Sequence, residues 1–160
     1  MTLLTPEEPT TTTPKTAAMA ARILFHVCRV FVGVILIGTG VGKGLDIPGF
    51  VGVIGTYDLM PGLLHWPTAL GMTTFEIVLG TWLLSNRQAA RAGLVSAALH
   101  LSFTIWACIA LLRGLDIPNC GCFGVFFARP LTWGTPVEDG VMIAVSLVVF
   151  FLGRAHKRSP

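Results

Sequence analysis

Apolar stretches about twenty residues long, parted by short polar breaks, constrain this chain more than anything else in it. A helix rises about 1.5 Å per residue, so crossing roughly 30 Å of hydrocarbon takes about 20 residues. A chain of 160 residues therefore has room for four such helices and little besides short loops. Composition agrees: 53% of residues are hydrophobic, 12% are charged and the mean hydropathy is +0.75, far from the usual soluble domain. A large catalytic domain in water is thereby excluded. The net charge of +3 and pI near 8.9 do not point to nucleic acid, because the basic residues cluster at helix ends, where they act as topology signals.

Read in order, the chain predicts an all-α integral membrane four-helix bundle. Residues 1–17, with Thr-Pro-Glu-Glu-Pro and four consecutive threonines, read as a disordered tail. Spans are expected at about 19–42, 66–84, 89–112 and 137–153, within a domain covering 18–154, and a basic tail closes the chain over 155–160. The first apolar run outlasts a signal-peptide core and lacks a cleavage box, so that helix is expected to stay in the protein. Its glycines Gly33, Gly38, Gly40 and Gly42 suit a closely packed face, although glycine is also simply frequent in membrane helices. A short interfacial helix is expected around Phe50–Asp58. Pro67 suits a first helical turn. The last apolar run, Val141 to Leu152, is short for a span and is extended back to Val137, with Glu138 and Asp139 in its first turn.

Four spans put both termini on one side. Lys15, Arg22, Arg87, Arg91, Arg154, Lys157 and Arg158 fall on that side, against Lys43, Arg113 and Arg129 on the other. The positive-inside rule then assigns cytoplasmic termini in a bacterial inner membrane. The pentapeptide Gly44-Leu45-Asp46-Ile47-Pro48 after the first span recurs as Gly114-Leu115-Asp116-Ile117-Pro118 after the third. Two readings stand: a duplicated two-helix unit, or convergence on one helix exit in which Gly terminates and Asp-x-Pro turns.

The chemistry concentrates in Pro118-Asn119-Cys120-Gly121-Cys122-Phe123-Gly124, on the periplasmic side of this topology. A Cys-x-Cys pair closes a small, poorly fitting disulfide ring that is readily reduced, and an oxidising compartment permits such exchange. Redox exchange, a structural staple and a metal site all remain open. A staple spanning one residue restrains little of the unfolded chain, and a metal site is missing a second nearby Cys/His pair. Cys108, near the outer end of the third span, is a candidate resolving thiol or a small packed residue; Cys28 reads as structural. Arg29 and Glu76 are each estimated to lie roughly 10–12 Å from the cytoplasmic boundary, and charges at that depth are expected to face inward and pair. His100 is expected to hydrogen-bond a neighbouring helix. Glu138 and Asp139 would raise the thiol pKa values unless Arg113 or Arg129 compensates. Tyr57, Trp66, Trp106, Phe123, Phe126, Phe127 and Trp133 fit an interfacial belt, which explains them without a ligand, and the lining of a quinone pocket is the alternative.

These residues resemble the MauE group within the DoxX-like membrane proteins. The specific element is Cys120-Gly121-Cys122-Phe123-Gly124. Arg29 with Gly33, Gly38 and Lys43 agrees, as do Asp46, Pro48 and Phe50 leading to Tyr57, Leu59 and Pro61, and Pro67 with Glu76-Ile77-Val78-Leu79-Gly80. The resemblance covers about Arg22 to Leu152, and implies a four-helix membrane bundle that assists disulfide formation or electron transfer with a thioredoxin-like partner outside the cytoplasm. The family often places a basic residue before the Asp or Asn that opens the fourth helix, whereas here Glu138 precedes Asp139. The leading expectation is a membrane thiol–disulfide redox protein working through Cys120 and Cys122, with a quinone as one candidate acceptor by analogy with other disulfide-generating bundles. The rival is a non-catalytic subunit that assembles or anchors a larger respiratory or photosynthetic membrane complex. A transporter would call for more polar residues near mid-membrane than Arg29, Glu76 and His100.

Overall fold

A computed structural model describes residues 14–158, with side-chain surroundings from Thr16 to Ala155. It contains helices α1 (Pro14–Gly44), α2 (Ile47–Thr56), α3 (His65–Leu84), α4 (Ala89–Leu112) and α5 (Gly134–Arg158), with one 3₁₀ turn, Gly62–Leu64, leading into α3. Among the described residues there is no strand. The tail expected over 1–17 lies outside the described residues as far as residue 13, and from Pro14 onward the chain is helical.

Local chemistry accounts for the helix ends. The Asp46 carboxylate accepts the Gly49 N–H at 2.9 Å and Pro48 occupies the first turn, where its missing N–H costs nothing. The short helix expected around Phe50–Asp58 is thus α2, begun three residues earlier by its cap. α4 ends differently. Gly114 takes a left-handed φ of 71°, Leu115 N–H donates to Ala110 O and Gly114 N–H donates to Leu111 O, which is a Schellman closure. Gly44 has no such φ: Leu45 N–H donates to Val41 O, and the chain enters the Asp46 cap directly. One pentapeptide therefore makes two different exits.

Among the described residues, three helices are long and apolar enough to cross a membrane: Thr16–Gly44, Ala89–Leu112 and Gly134–Ala155. The fourth long helix, α3, has 20 residues, enough for a span, but polar residues interrupt its apolar run. It carries Glu76 and the threonines Thr68, Thr73, Thr74 and Thr81.

α1 packs along α3 and, less extensively, along α5; α4 packs along α5. Small residues permit these contacts. A Cβ at Gly40 would come within 3.1 Å of Thr73 O, and one at Gly93 within 2.9 Å of Ser146 O. Gly33 meets Gly80 in the same way, whereas Gly38, expected on the packed face, has nothing within 4 Å. Ser96 and Ser146, both wholly buried, share a 3.0 Å hydroxyl hydrogen bond between α4 and α5. One apolar cluster, including Phe25, Val32, Leu36, Leu79, Leu83 and Val149, fills the centre. A second forms around Ala107, Ala110, Ile117 and Leu131 beneath the cysteine loop. The outer faces are also apolar, with Val27, Phe31, Val34, Phe75, Val78, Leu101, Ile105 and Phe151 exposed. Such a surface requires lipid rather than water.

Candidate functional site

Hydrogen bonds hold the segment between α4 and α5 in one shape. Leu131 N–H donates to Ile117 O, and Cys120 N–H donates to Arg129 O at 2.7 Å, so the two limbs of the loop pair with each other. Between them Asn119 closes the turn: its Oδ1 accepts Gly121 N–H and its Nδ2 donates to Gly124 O. Gly121 and Gly124 both have left-handed φ values, 77° and 74°. Gly124 lies against the Gly42 carbonyl of α1 with no space for a Cβ. Tyr57, following α2, donates its hydroxyl to Cys120 O at 2.8 Å, and Arg113 ties the α4 exit to Asp58 at 3.0 Å. Each contact restrains backbone that would otherwise have to be ordered at an entropic cost.

The loop brings the two Sγ atoms 3.1 Å apart, hydrogen-bonded to each other. A further approach of about 1 Å, with two electrons and two protons lost to an acceptor, would bring them to disulfide length. The two thiols are not equivalent. Cys120 is lowered from 9.0 to about 6, first by the hydrogen bond it accepts from the Cys122 thiol, then by the Cys122 backbone N–H and by Arg129, against the opposing effect of burial. Cys122 is raised, because its proton is committed to Cys120, because it is buried, and because the Cys120 and Asp139 charges are close. The pair therefore loses its first proton below the ordinary thiol range and its second above it. Arg129 supplies the compensating charge that Glu138 made necessary, since it binds Glu138 through two hydrogen bonds, at 3.1 and 2.6 Å, while acting on Cys120. Arg113, the other candidate, is engaged with Asp58 instead. Burial, reinforced by the thiol charges, raises Tyr57, which keeps its proton and its hydrogen bond.

Beside the thiols is a cavity of about 350 Å³. Phe50, Ile54, Met72, Phe103 and Trp106 form apolar walls, and Cys120, Cys122, Lys43, Glu76, His100 and Asp139 supply the polar groups. Tyr57, Trp106 and Phe123 belong to this lining, so the expected aromatic belt divides: Trp66, Phe126, Phe127 and Trp133 are the exposed members.

The expected Arg29–Glu76 pair does not form. Lys43 Nζ donates to both Glu76 carboxylate oxygens, at 2.6 and 2.7 Å, with the two side chains 3% and 1% exposed. Arg29 instead donates to Leu83 O and Leu84 O at 2.6 and 2.9 Å, where the C-terminal carbonyls of α3 attract a cation. His100 also departs from expectation, bonding Ser96 O of its own helix at 2.9 Å through Nδ1 rather than a neighbouring helix. Cys108 is half-buried and not part of the cavity lining, as is Cys28.

Lys43 is the site residue that sequence reasoning missed, since its place at the end of the first span marks it only as an outer-side charge. The packing of the helices supplies it: Gly40 lies against Thr73 and Ile77 and Gly44 against Thr73, so Lys43 is level with Glu76 and its stem has only to cross between neighbouring helices.

The profile of the family described as "Methylamine utilisation protein MauE" matches residues 21–152. The chain is 26% identical over 121 residues to the methylamine utilization protein MauE of Paracoccus denitrificans, covering 76% of this chain and 65% of that one. It is 30% identical over 92 residues to the protein of the same name from Methylophilus methylotrophus, covering 58% of this chain and 48% of that one. The matched regions thus span less than two thirds of each relative's length. No solved structure matches the chain.

Proposed function

The chain belongs to the MauE family, and from that premise we propose that it is a membrane thiol–disulfide redox protein whose working group is the Cys120/Cys122 pair. The observation that carries the proposal is two sulfurs 3.1 Å apart, one of them lowered to about 6 and the other raised. A stapling disulfide has no use for that asymmetry, whereas exchange does: the thiolate attacks or leaves, and the protonated partner stays in reserve. The partner is an extracytoplasmic thioredoxin-like protein. In the exchange, the partner's dithiol reduces the Cys120–Cys122 disulfide, giving a partner disulfide and a Cys120/Cys122 dithiol, with two electrons and two protons transferred. The names of the relatives tie them to methylamine utilisation; the proposal extends that setting to this chain and adds, as its own reading, that the exchange supports the maturation of exported proteins.

The proposal also includes the topology. α3 would be the fourth span, completing a four-helix bundle with α1, α4 and α5, its polar Glu76 neutralised by Lys43. With Lys43 buried, the charge count becomes Lys15, Arg22, Arg87, Arg91, Arg154, Lys157 and Arg158 against Arg113 and Arg129. That bias supports cytoplasmic termini and a periplasmic cysteine loop in a bacterial inner membrane.

Mixed-disulfide trapping tests the redox role. Cys122→Ser should accumulate an adduct through Cys120, and the wild-type pair should titrate reversibly against glutathione. A pair that stays oxidised across the periplasmic range, with no adduct in Cys120→Ser or Cys122→Ser, would return the protein to the alternative of a non-catalytic assembly subunit.

A further inference from the structure

Resting on the redox reading above, we infer that the cavity beside the thiols binds the headgroup of a quinone, which accepts the two electrons of the Cys120/Cys122 dithiol. Its volume of about 350 Å³ lies at the lower end of small-molecule sites, roughly 300–1,000 Å³, suitable for one substituted six-membered ring. Its walls are those a flat apolar ring packs against, with Phe50, Phe103 and Trp106 among them.

The polar groups select the ligand further. A Lys ammonium has three N–H donors, and Lys43 gives two contacts to Glu76, one to each carboxylate oxygen. The remaining donor has no hydrogen-bond partner among the described residues, and the Phe50 and Phe103 ring centroids lie 5.6 and 5.7 Å from Nζ. Lys43 is 3% exposed and lines the cavity, so an oxygen inside the cavity is the group that would satisfy it. A quinone carbonyl supplies one. Lys43 and Glu76 cancel in charge, which favours a neutral polar ligand over an anion. His100 complements them: Nδ1 must carry the proton it donates to Ser96 O, and in the neutral ring Nε2 is then an acceptor suited to a quinol hydroxyl. A lipid tail would use none of these groups, and no cluster of three metal-ligating residues exists among the described residues.

The step balances without another reactant. The Cys120 and Cys122 sulfurs form one S–S bond as their two protons are lost. Two electrons and two protons pass to the ring, so one quinone becomes one quinol for each disulfide formed. The exposed apolar faces of the helices place the protein in the bilayer, where a lipid-soluble acceptor is concentrated.

The test uses the full chain in detergent, reduced and then mixed with decylubiquinone. The expected result is one quinol for each pair of thiols lost. Ile35→Trp and Met72→Trp narrow the cavity from α1 and α3, away from the cysteine loop. Relative to glutathione exchange measured on the same variants, oxidation by decylubiquinone should slow at least about tenfold, equivalent to a 1.4 kcal/mol change. Binding is read separately in Cys120→Ser/Cys122→Ser, where decylubiquinone should quench Trp106 fluorescence saturably, and Trp106→Phe should remove that component. A pair that exchanges with glutathione yet is left reduced by decylubiquinone overturns the quinone site and leaves the redox reading standing. So does unsaturable quenching, or narrowed variants as fast as wild type. A pair inert to both reagents overturns the redox reading and this inference with it.

Discussion

At the scale of single residues, the asymmetry of the thiols makes the sharpest prediction. Cys120 is an acid lowered to about 6, so its thiolate fraction rises through pH 6 and is nearly complete by pH 8, where an ordinary thiol is still mostly protonated. The rate of alkylation by iodoacetamide, followed by mass spectrometry, should have its midpoint near 6. In Cys122→Ala the donated hydrogen bond is lost, and that midpoint should move upward. An unchanged midpoint would show that the neighbouring thiol is not what stabilises the Cys120 anion. The Lys43–Glu76 pair makes a second prediction. Removing one member strands a buried charge at a cost of about 3–5 kcal/mol, whereas replacing both with apolar residues is often neutral. Lys43→Met and Glu76→Leu should each lower the unfolding midpoint in detergent, and the double variant should recover most of the loss. A double variant worse than either single would contradict pairing. The Cys120/Cys122 pair was legible in the sequence because covalent neighbours are already close. The partner of Glu76 was not, because it depends on how α1 and α3 are set side by side.

At the scale of elements, close packing and helix exits can be tested against internal controls. Gly38 and Gly40 are two residues apart on α1. A Cβ at Gly40 would meet Ile77 Cγ1 at 2.7 Å and Thr73 O at 3.1 Å, while one at Gly38 meets nothing. Gly40→Ala should therefore destabilise by about 1–3 kcal/mol through overpacking. Gly38→Ala should stabilise by up to about 1 kcal/mol through helix propensity. Thermal unfolding of the two variants in the same detergent distinguishes them, and equal effects would exclude the α1–α3 contact as the cause. The repeated pentapeptide gives a similar contrast. Asp46 caps α2, so Asp46→Ala should cost about 1 kcal/mol. Asp116 is exposed and precedes no helix, so Asp116→Ala should stay within about 0.5 kcal/mol of wild type. The repeat was visible in the sequence, but its two conformations were not, because the segment beyond each copy decides the exit: an Asp46-capped helix in one case, a loop paired to Arg129 and Leu131 in the other.

At the scale of the whole molecule, orientation is the remaining prediction. A membrane-impermeant maleimide applied to intact spheroplasts should label the reduced Cys120/Cys122 pair, and labelling only after permeabilisation would reverse the topology. The sequence by itself determined that the chain is helical and built for lipid, because length and hydropathy are properties of each run alone. It also marked Cys120-Gly121-Cys122 as the candidate reactive element, because one intervening residue keeps two thiols close along the chain. The tertiary structure decided which charges meet. Glu76 lies between two basic residues of α1, and only the depth and rotation of α3 against that helix choose Lys43 over Arg29. It likewise decided that the loop, the Lys43–Glu76 pair and His100 surround one cavity. These groups come from α1, α3, α4 and the loop after it, and no pattern within any one run records how the helices pack.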